Sequence, residues 1–123
     1  MIIDIKRLKK SFLFALNGLK IIVKKEQNFR IHFVIAIIVI ILGFLFGIHA
    51  WEWVAVLLMI FFVLLLEIVN TIVERVVDML KPRVNIYVKE AKDLMSAAVL
   101  LAAILSIVIG LIIFVPYFVK LFR

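Results

Sequence analysis

The sequence predicts an all-α membrane protein in which an N-terminal amphipathic surface helix precedes three transmembrane helices. Of its 123 residues, 67% are hydrophobic, against roughly 45–50% in soluble domains. Three long apolar stretches each approach the roughly 20 residues that a helix needs to cross a bilayer. At this length we expect one domain over residues 1–123. The chain contains no cysteine, which excludes disulfides, thiolate metal sites and cysteine nucleophiles.

Residues 1–30 have the pattern of a helix that lies in the membrane interface. Apolar residues such as Ile5, Leu8 and Phe12 recur at three- and four-residue spacing, and lysines and arginines occupy the other side. A basic surface can also bind nucleic acid, but here no aromatic stacking positions are set among the polar residues. We therefore expect contact with anionic lipid headgroups and no binding of nucleic acid.

The first predicted span covers residues 31–48, a helix about 27 Å long at about 1.5 Å per residue. Gly43 and Gly47 form a GxxxG motif, which lets two helix backbones approach closely. An equally weighted alternative is that both glycines loosen the end of the helix. Residues 49–53 predict a short polar turn whose two tryptophans suit the aromatic belt at a membrane surface.

The second predicted span, residues 54–77, carries polar side chains in its second half. Their steps of three and four residues place them on one face of an α-helix. A charge at the bilayer centre costs about 2.5–3.5 kcal/mol on insertion scales, so a carboxylate within a span usually faces a protein interior and marks a functional site. Glu67 is the deepest carboxylate of this polar face, which comprises Glu67, Asn70, Thr71, Glu74 and Asp78.

The third span is expected over residues 94–117, with Pro116 at its far end. It follows a predicted loop at 81–85, because Pro82 cannot continue a helix. We expect the new helix to begin around residues 86–90, before its sequence becomes apolar.

The distribution of basic residues predicts the topology. Of the 15 lysines and arginines, eight lie in residues 1–30 and five in residues 75–92, and none separates the first two spans. By the positive-inside rule, the N-terminus and the second of these segments are cytoplasmic, which leaves the C-terminus outside.

Charged residues from several segments are expected to converge on one cleft at the cytoplasmic face. Carboxylates near the surface suit Mg²⁺, which binds through one or two of them plus substrate phosphates. A deeper carboxylate can act as a base on a hydroxyl that is supplied from the lipid. The four glycines form no known phosphate-binding loop, so a kinase of this sequence would use neither the P-loop nor the protein-kinase architecture. The converging residues are Glu26, Glu67, Glu74, Lys92 and Asp93.

These positions also have structural alternatives. Glu67 and Asn70 could hold helices together, since interhelical hydrogen bonds in membranes contribute about 0.6–2 kcal/mol. Glu74 and Asp78 could be solvated where the span meets water, and Glu26 could form a surface ion pair worth about 0–1 kcal/mol.

Alternatives also exist for the third helix and for the whole protein. Lys92 and Asp93 could simply begin the helix, with the aspartate near its positive dipole end. A proton- or cation-coupled transporter could use Glu67 to exchange H⁺ for its substrate. The polar positions lie toward the cytoplasmic face, which favours an interfacial enzyme over a transporter. A structural or regulatory membrane subunit is a third possibility.

Two motifs carry a resemblance to a known family. The pattern ExxNxxxE in EIVNTIVERVVD, followed by EAKDLMSAAVLLAAI, closely resembles the prokaryotic diacylglycerol kinase and undecaprenol kinase family of small membrane lipid kinases. The resemblance continues upstream through KEQNFRIHFVIA and FALNGLK, so it covers residues 7–105. The segment around Glu26, Asn28 and Arg30 is more similar to Gram-positive members, which tend to phosphorylate undecaprenol.

The resemblance implies a homotrimer in the bacterial cytoplasmic membrane, with active sites shared between subunits. It implies an enzyme that transfers phosphate from ATP, with Mg²⁺, to the primary hydroxyl of undecaprenol or diacylglycerol. Glu67 then matches the catalytic base and Asn70 an active-site polar residue. Glu26 and Glu74 match the carboxylates that hold the metal with ATP.

Further positions match the nucleotide and lipid contacts of the family. Lys92 and Asp93 match nucleotide-contacting residues, and Ser96 a substrate contact. Arg7 and Phe14 fall where the family has additional nucleotide and lipid contacts. The loop before the third span departs from the family, because Asn85 stands where a histidine-containing stretch often occurs.

Overall fold

The computed structural model describes residues 2–80 and 85–123, and these form four helices. Three of the helices are long and apolar enough to cross a membrane, and a shorter N-terminal helix precedes them. The predicted fold class is therefore confirmed. Helices suit this role because every backbone polar group within lipid must be bonded inside the segment. The helices are α1 (Ile5–Lys25), α2 (Gln27–Phe46), α3 (Ala50–Asp78) and α4 (Asn85–Leu121).

A sharp junction at Glu26 separates α1 from α2. Its backbone is extended, with φ −112° and ψ 110°. The Nη1 atom of Arg30 donates hydrogen bonds of 2.8 Å to the carbonyl oxygens of both Val23 and Lys24 at the end of α1. The predicted interfacial segment was drawn to residue 30, whereas α1 ends at Lys25. The helix stops early because a side chain of the next helix takes over its terminal carbonyls.

The two glycines of the GxxxG motif have different roles. Gly47 adopts φ 60° and ψ 50° and ends α2 in the left-handed conformation that glycine tolerates best. Gly43 is buried, and a Cβ atom there would lie 2.6 Å from the ring of Trp53. The predicted close approach of two helices therefore applies to Gly43, which packs against α3. The alternative, a role at the helix end, applies to Gly47.

The turn between α2 and α3 is shorter than the predicted 49–53. His49 is the N-cap of α3, and its backbone N–H donates a 3.0 Å hydrogen bond to Oε1 of Glu52. His49 and Glu52 form a capping box, in which each side chain accepts from the backbone of the other residue. The helix therefore begins at Ala50 and includes both tryptophans. Glu52 is only 5% exposed.

The C-terminal ends of α2 and α4 and the N-terminal end of α3 pack into a small core, the outer core, named for the topology that the sequence predicts. It is built on the buried side chains of Ile48, Val56, Ile113 and Phe114. The third span was expected to end at residue 117, but α4 continues through Pro116 to Leu121.

Two contacts beyond Pro116 explain why the helix continues. The ring centroid of Phe118 lies 4.8 Å from that of Phe46, and the hydroxyl of Tyr117 donates a short hydrogen bond to Oε1 of Glu52. These contacts hold the last turns in helical geometry although proline supplies no backbone donor.

An apolar groove lies between α2 and α4, with α3 at its back. It has a volume of about 310 Å³ and is lined by side chains such as Ala36, Val63 and Ile109. Its end farthest from the outer core is formed by His32, Leu64 and Ser106. The groove therefore leads from an apolar core toward the half of α3 that carries the polar face.

Candidate active site

Glu67 is buried in the interior of the helical bundle. It is 3% exposed, and its Oε1 atom lies 3.3 Å from Nε2 of His32 on α2. His32 lies 14 residues before the end of α2 and Glu67 lies 17 residues after the start of α3, or about 21 and 26 Å along the helices. Because a short turn joins these helices, the two side chains reach a similar depth. The Glu67 side chain is thus directed into the protein interior.

The neighbours of Glu67 on the polar face form a second set of contacts. The hydroxyl of Thr71 donates a 3.0 Å hydrogen bond to the backbone carbonyl of Glu67. Nδ2 of Asn70 lies 3.4 Å from Oε1 of Glu74, to which it donates. The other amide atom, Oδ1 of Asn70, is buried without a hydrogen-bond partner in the described structure. Leaving a buried acceptor without a partner costs free energy of folding. This oxygen is therefore suited to bind a donor or a cation that the chain does not itself supply.

Two further carboxylates lie within electrostatic range of Glu67. The charges of Glu26, at the α1–α2 junction, and of Glu74 both act unfavourably on Glu67. Glu26 and Glu74 are half-buried, so water screens their repulsion only in part. A cation bound between these carboxylates would offset their repulsion.

The donor set fits magnesium better than a metal held by the protein alone. Among the described residues, no group of three or more histidine and acidic side chains could hold a metal ion together. Mg²⁺ does not require such a group, because it is usually bound by one or two carboxylates together with substrate phosphates and water. Glu26 and Glu74, with the unpaired oxygen of Asn70 nearby, have the charge and the oxygen ligands for this kind of site.

Lys92 lies close to the C-terminal end of the polar face. Its Nζ atom is 2.6 Å from Oδ1 of Asp78, which joins the start of α4 to the end of α3. Asp93 is exposed and pairs with Lys89 at 3.5 Å, one turn earlier on the same helix. Ser96 is also exposed on α4. Of the three residues predicted to contact nucleotide or lipid from α4, Lys92 is therefore the one with a described side-chain contact to α3.

Arg7 and Phe14 lie on α1, where both side chains are exposed. The backbone N–H of Arg7 donates to the side chain of Asp4, the N-cap of the helix. Arg7 precedes Glu26 by 19 residues, which is about 28 Å along a helix. One copy of α1 therefore cannot bring Arg7 and Glu26 to the same phosphate group. The predicted loop residues Lys81, Pro82 and Arg83 lie outside the described part of the chain.

His32 is the site residue that the sequence did not identify. Taken alone, it was a single histidine near one end of the first span. A signal was nevertheless present, because a carboxylate within a membrane usually pairs with another polar group at the same depth. His32 lies near the N-terminal end of α2, at the depth of Glu67.

Comparison with known proteins identifies the family. The sequence model of the prokaryotic diacylglycerol kinases matches residues 13–114, which is most of the chain and includes the whole polar face. The chain belongs to the prokaryotic diacylglycerol kinase family. An undecaprenol kinase of Bacillus subtilis is 36% identical over 113 residues, covering 92% of each chain.

Two further relatives are named diacylglycerol kinases. The one from Synechocystis is 35% identical over 101 residues, which cover 81% of this chain and 58% of that protein. The one from Helicobacter pylori is 31% identical over 99 residues, covering 80% of this chain and 77% of the relative. This diacylglycerol kinase family membership confirms the expectation of a membrane lipid kinase and does not favour the transporter alternative.

Proposed function

We propose that this lipid kinase uses ATP and Mg²⁺ to phosphorylate the primary hydroxyl of undecaprenol, giving undecaprenyl phosphate. The observation that carries the proposal is the burial of Glu67, within electrostatic range of two further carboxylates, in the C-terminal half of a candidate membrane span. Undecaprenol is the preferred acceptor because the undecaprenol kinase relative is similar over 92% of both chains. Diacylglycerol is the second candidate, since two diacylglycerol kinases match about four-fifths of this chain.

In the proposed reaction, Glu67 accepts the proton of the lipid hydroxyl. The hydroxyl oxygen forms a bond to the γ-phosphorus of ATP while the bond from that phosphorus to the bridging oxygen breaks, and ADP leaves with that oxygen. The apolar groove supports entry of the acceptor from the membrane, because its apolar lining extends to His32, the neighbour of Glu67. Asn70 orients Glu74 through their hydrogen bond.

Glu26 and Glu74 would hold Mg²⁺ together with the phosphates of ATP. When bound, the ion neutralises negative charge on the phosphoryl oxygens. Lys92 and Asp93 are proposed to contact the nucleotide from α4, and Arg7 and Phe14 from α1. Ser96 is proposed to contact the lipid acceptor. All these residues belong to one kinase domain over residues 1–123.

We further propose a homotrimer in the bacterial cytoplasmic membrane, with the N-terminus cytoplasmic and the C-terminus outside. Each active site would combine residues of neighbouring subunits. Two observations support this arrangement: Arg7 and Phe14 are exposed on a helix in which only Ile22 is buried, and Arg7 lies about 28 Å along α1 from Glu26. The excess of basic residues in the segments 1–30 and 75–92 supports the topology.

Mixing two inactive variants tests the shared site. Co-expression of equal amounts of Glu67→Gln and Arg7→Ala chains is expected to give about one quarter of the wild-type activity. The reason is that each site takes its base and its arginine from different, randomly combined subunits of a symmetric oligomer. Kinase activity of the purified mixture is the measurement, with each variant alone as the control. A mixture no more active than its two components would contradict the shared arrangement.

A lipid competition assay tests the substrate. Purified protein with labelled ATP, Mg²⁺ and equal amounts of undecaprenol and dioleoylglycerol in mixed micelles is expected to label mainly undecaprenol. Separation of the lipid products measures the ratio directly. Predominant labelling of the glycerolipid would replace undecaprenol by diacylglycerol as acceptor. No labelled lipid, from protein that is folded and oligomeric, would refute the proposed reaction.

A further inference from the structure

His32 is a polar side chain on an otherwise apolar part of α2, and the proposed reaction gives it no role. Its Nε2 atom lies 3.3 Å from Oε1 of Glu67, and the two side chains are 25% and 4% exposed. A buried carboxylate in an apolar environment is costly unless a donor satisfies it. Thr71 does not supply this donor, because its hydroxyl is bonded to the backbone carbonyl of Glu67.

We propose that His32 is a positioning residue that orients the Glu67 carboxylate for proton transfer, an inference that rests on the proposed lipid kinase function. The Nε2–H group donates to Oε1 of Glu67, which fixes the plane of the carboxylate. Oε2 is then left to accept the proton of the lipid hydroxyl. Orientation of this kind has a large effect, since a misplacement of about 1 Å at a reacting group costs up to about 100-fold in rate.

The charges around Glu67 make this orientation necessary. Glu26, from the α1–α2 junction, and Glu74, from the same helix as Glu67, both repel its carboxylate. His32 attracts the carboxylate from α2, a separate helix, and therefore holds it in place against this repulsion.

The position of His32 also connects Glu67 with the apolar groove. His32 lines the groove at the end farthest from the outer core. A lipid hydroxyl that arrives from the groove would therefore meet the histidine and the carboxylate together. His32 thus lies where a positioning residue must be, in contact with the base and beside the proposed path of the acceptor.

The test compares His32→Leu, which removes the donor, with His32→Gln, which keeps an N–H donor of similar reach. We expect His32→Leu to lower kcat about 10- to 100-fold while the KM for ATP is unchanged. His32→Gln should restore most of the lost kcat. His49→Gln, a change of the other histidine of the chain at the opposite end of the span, is the matched control and should leave kcat unchanged.

Distinct results would overturn the proposal. One is a wild-type kcat in His32→Leu. Another is an equal loss of kcat in the Leu and Gln variants together with an equal loss of thermal stability, because this would indicate a structural role. If His32→Leu fails to assemble, His32→Ala with added imidazole replaces it, and no gain in kcat on adding imidazole to assembled protein overturns the proposal. An inactive wild-type protein would instead refute the lipid kinase function.

Discussion

Replacement of Glu67 by glutamine is expected to lower kcat for lipid phosphorylation about 10³-fold, because a general base typically contributes about 10²–10⁴-fold to the rate. Glutamine has nearly the same shape and can still accept from His32, but it cannot take the proton of the lipid hydroxyl. The measurement is kcat at saturating ATP, Mg²⁺ and undecaprenol in mixed micelles. Size-exclusion chromatography of the same preparation is expected to give the elution volume of the wild-type protein.

Glu52 provides a matched control on the same helix. Like Glu67 it is a buried glutamate of α3, but it lies at the N-terminal end, where it accepts from His49 and Tyr117. Glu52→Gln is expected to lower thermal stability and to leave kcat unchanged, since this carboxylate holds α4 against the start of α3. Near-normal turnover in Glu67→Gln, or an equal loss of turnover in both variants, would remove the assignment of Glu67 as the base.

Replacement of Glu74 by glutamine is expected to lower kcat/KM for ATP about 100-fold at limiting Mg²⁺, with partial recovery at high Mg²⁺. The reason is that the variant loses one of the two carboxylates proposed to bind the metal. Loss of an outer-shell partner alone lowers metal affinity about 10- to 100-fold, so loss of a direct ligand should cost at least as much. Titration of activity with Mg²⁺ gives the measurement. Removal of divalent cations with a chelator is expected to abolish the activity of both proteins.

The control for this prediction is Glu90→Gln. Glu90 is an exposed carboxylate near the start of α4, on the proposed cytoplasmic side, and it takes no part in the polar face. Its replacement removes the same charge without removing a proposed metal ligand, so the Mg²⁺ dependence should stay that of the wild type. If Glu74→Gln shares the Mg²⁺ dependence of the wild-type protein, Glu74 does not hold the metal.

The interior of the fold was more predictable than its helix ends. The three candidate spans and the amphipathic α1 follow from composition and periodicity, since long apolar segments in lipid have few alternatives to the helix. The helices begin or end at other residues than predicted where a single side chain or contact sets the boundary. Arg30 binds the last carbonyls of α1, Glu52 extends α3 backward to Ala50, and packing beyond Pro116 carries α4 to Leu121.

The polar face of α3 was predictable for a similar reason. Steps of three and four residues fix which side chains share one face of a helix, whatever the helix packs against. The hydrogen bond between Asn70 and Glu74 and the bond from Thr71 to the Glu67 carbonyl both follow from that spacing. The functional roles of all the predicted site residues, including those on this face, stay predictions.

The sequence by itself determined the number and kind of helices and the set of acidic side chains that α3 presents together, because both depend on hydrophobicity and on the helical repeat. Only the tertiary structure decided what lies opposite that face: His32 against Glu67, and Lys92 against Asp78. The rotation and depth at which two helices meet depend on the packing of all their side chains and on the short turn between them. The periodicity of a single helix contains no information about its partner.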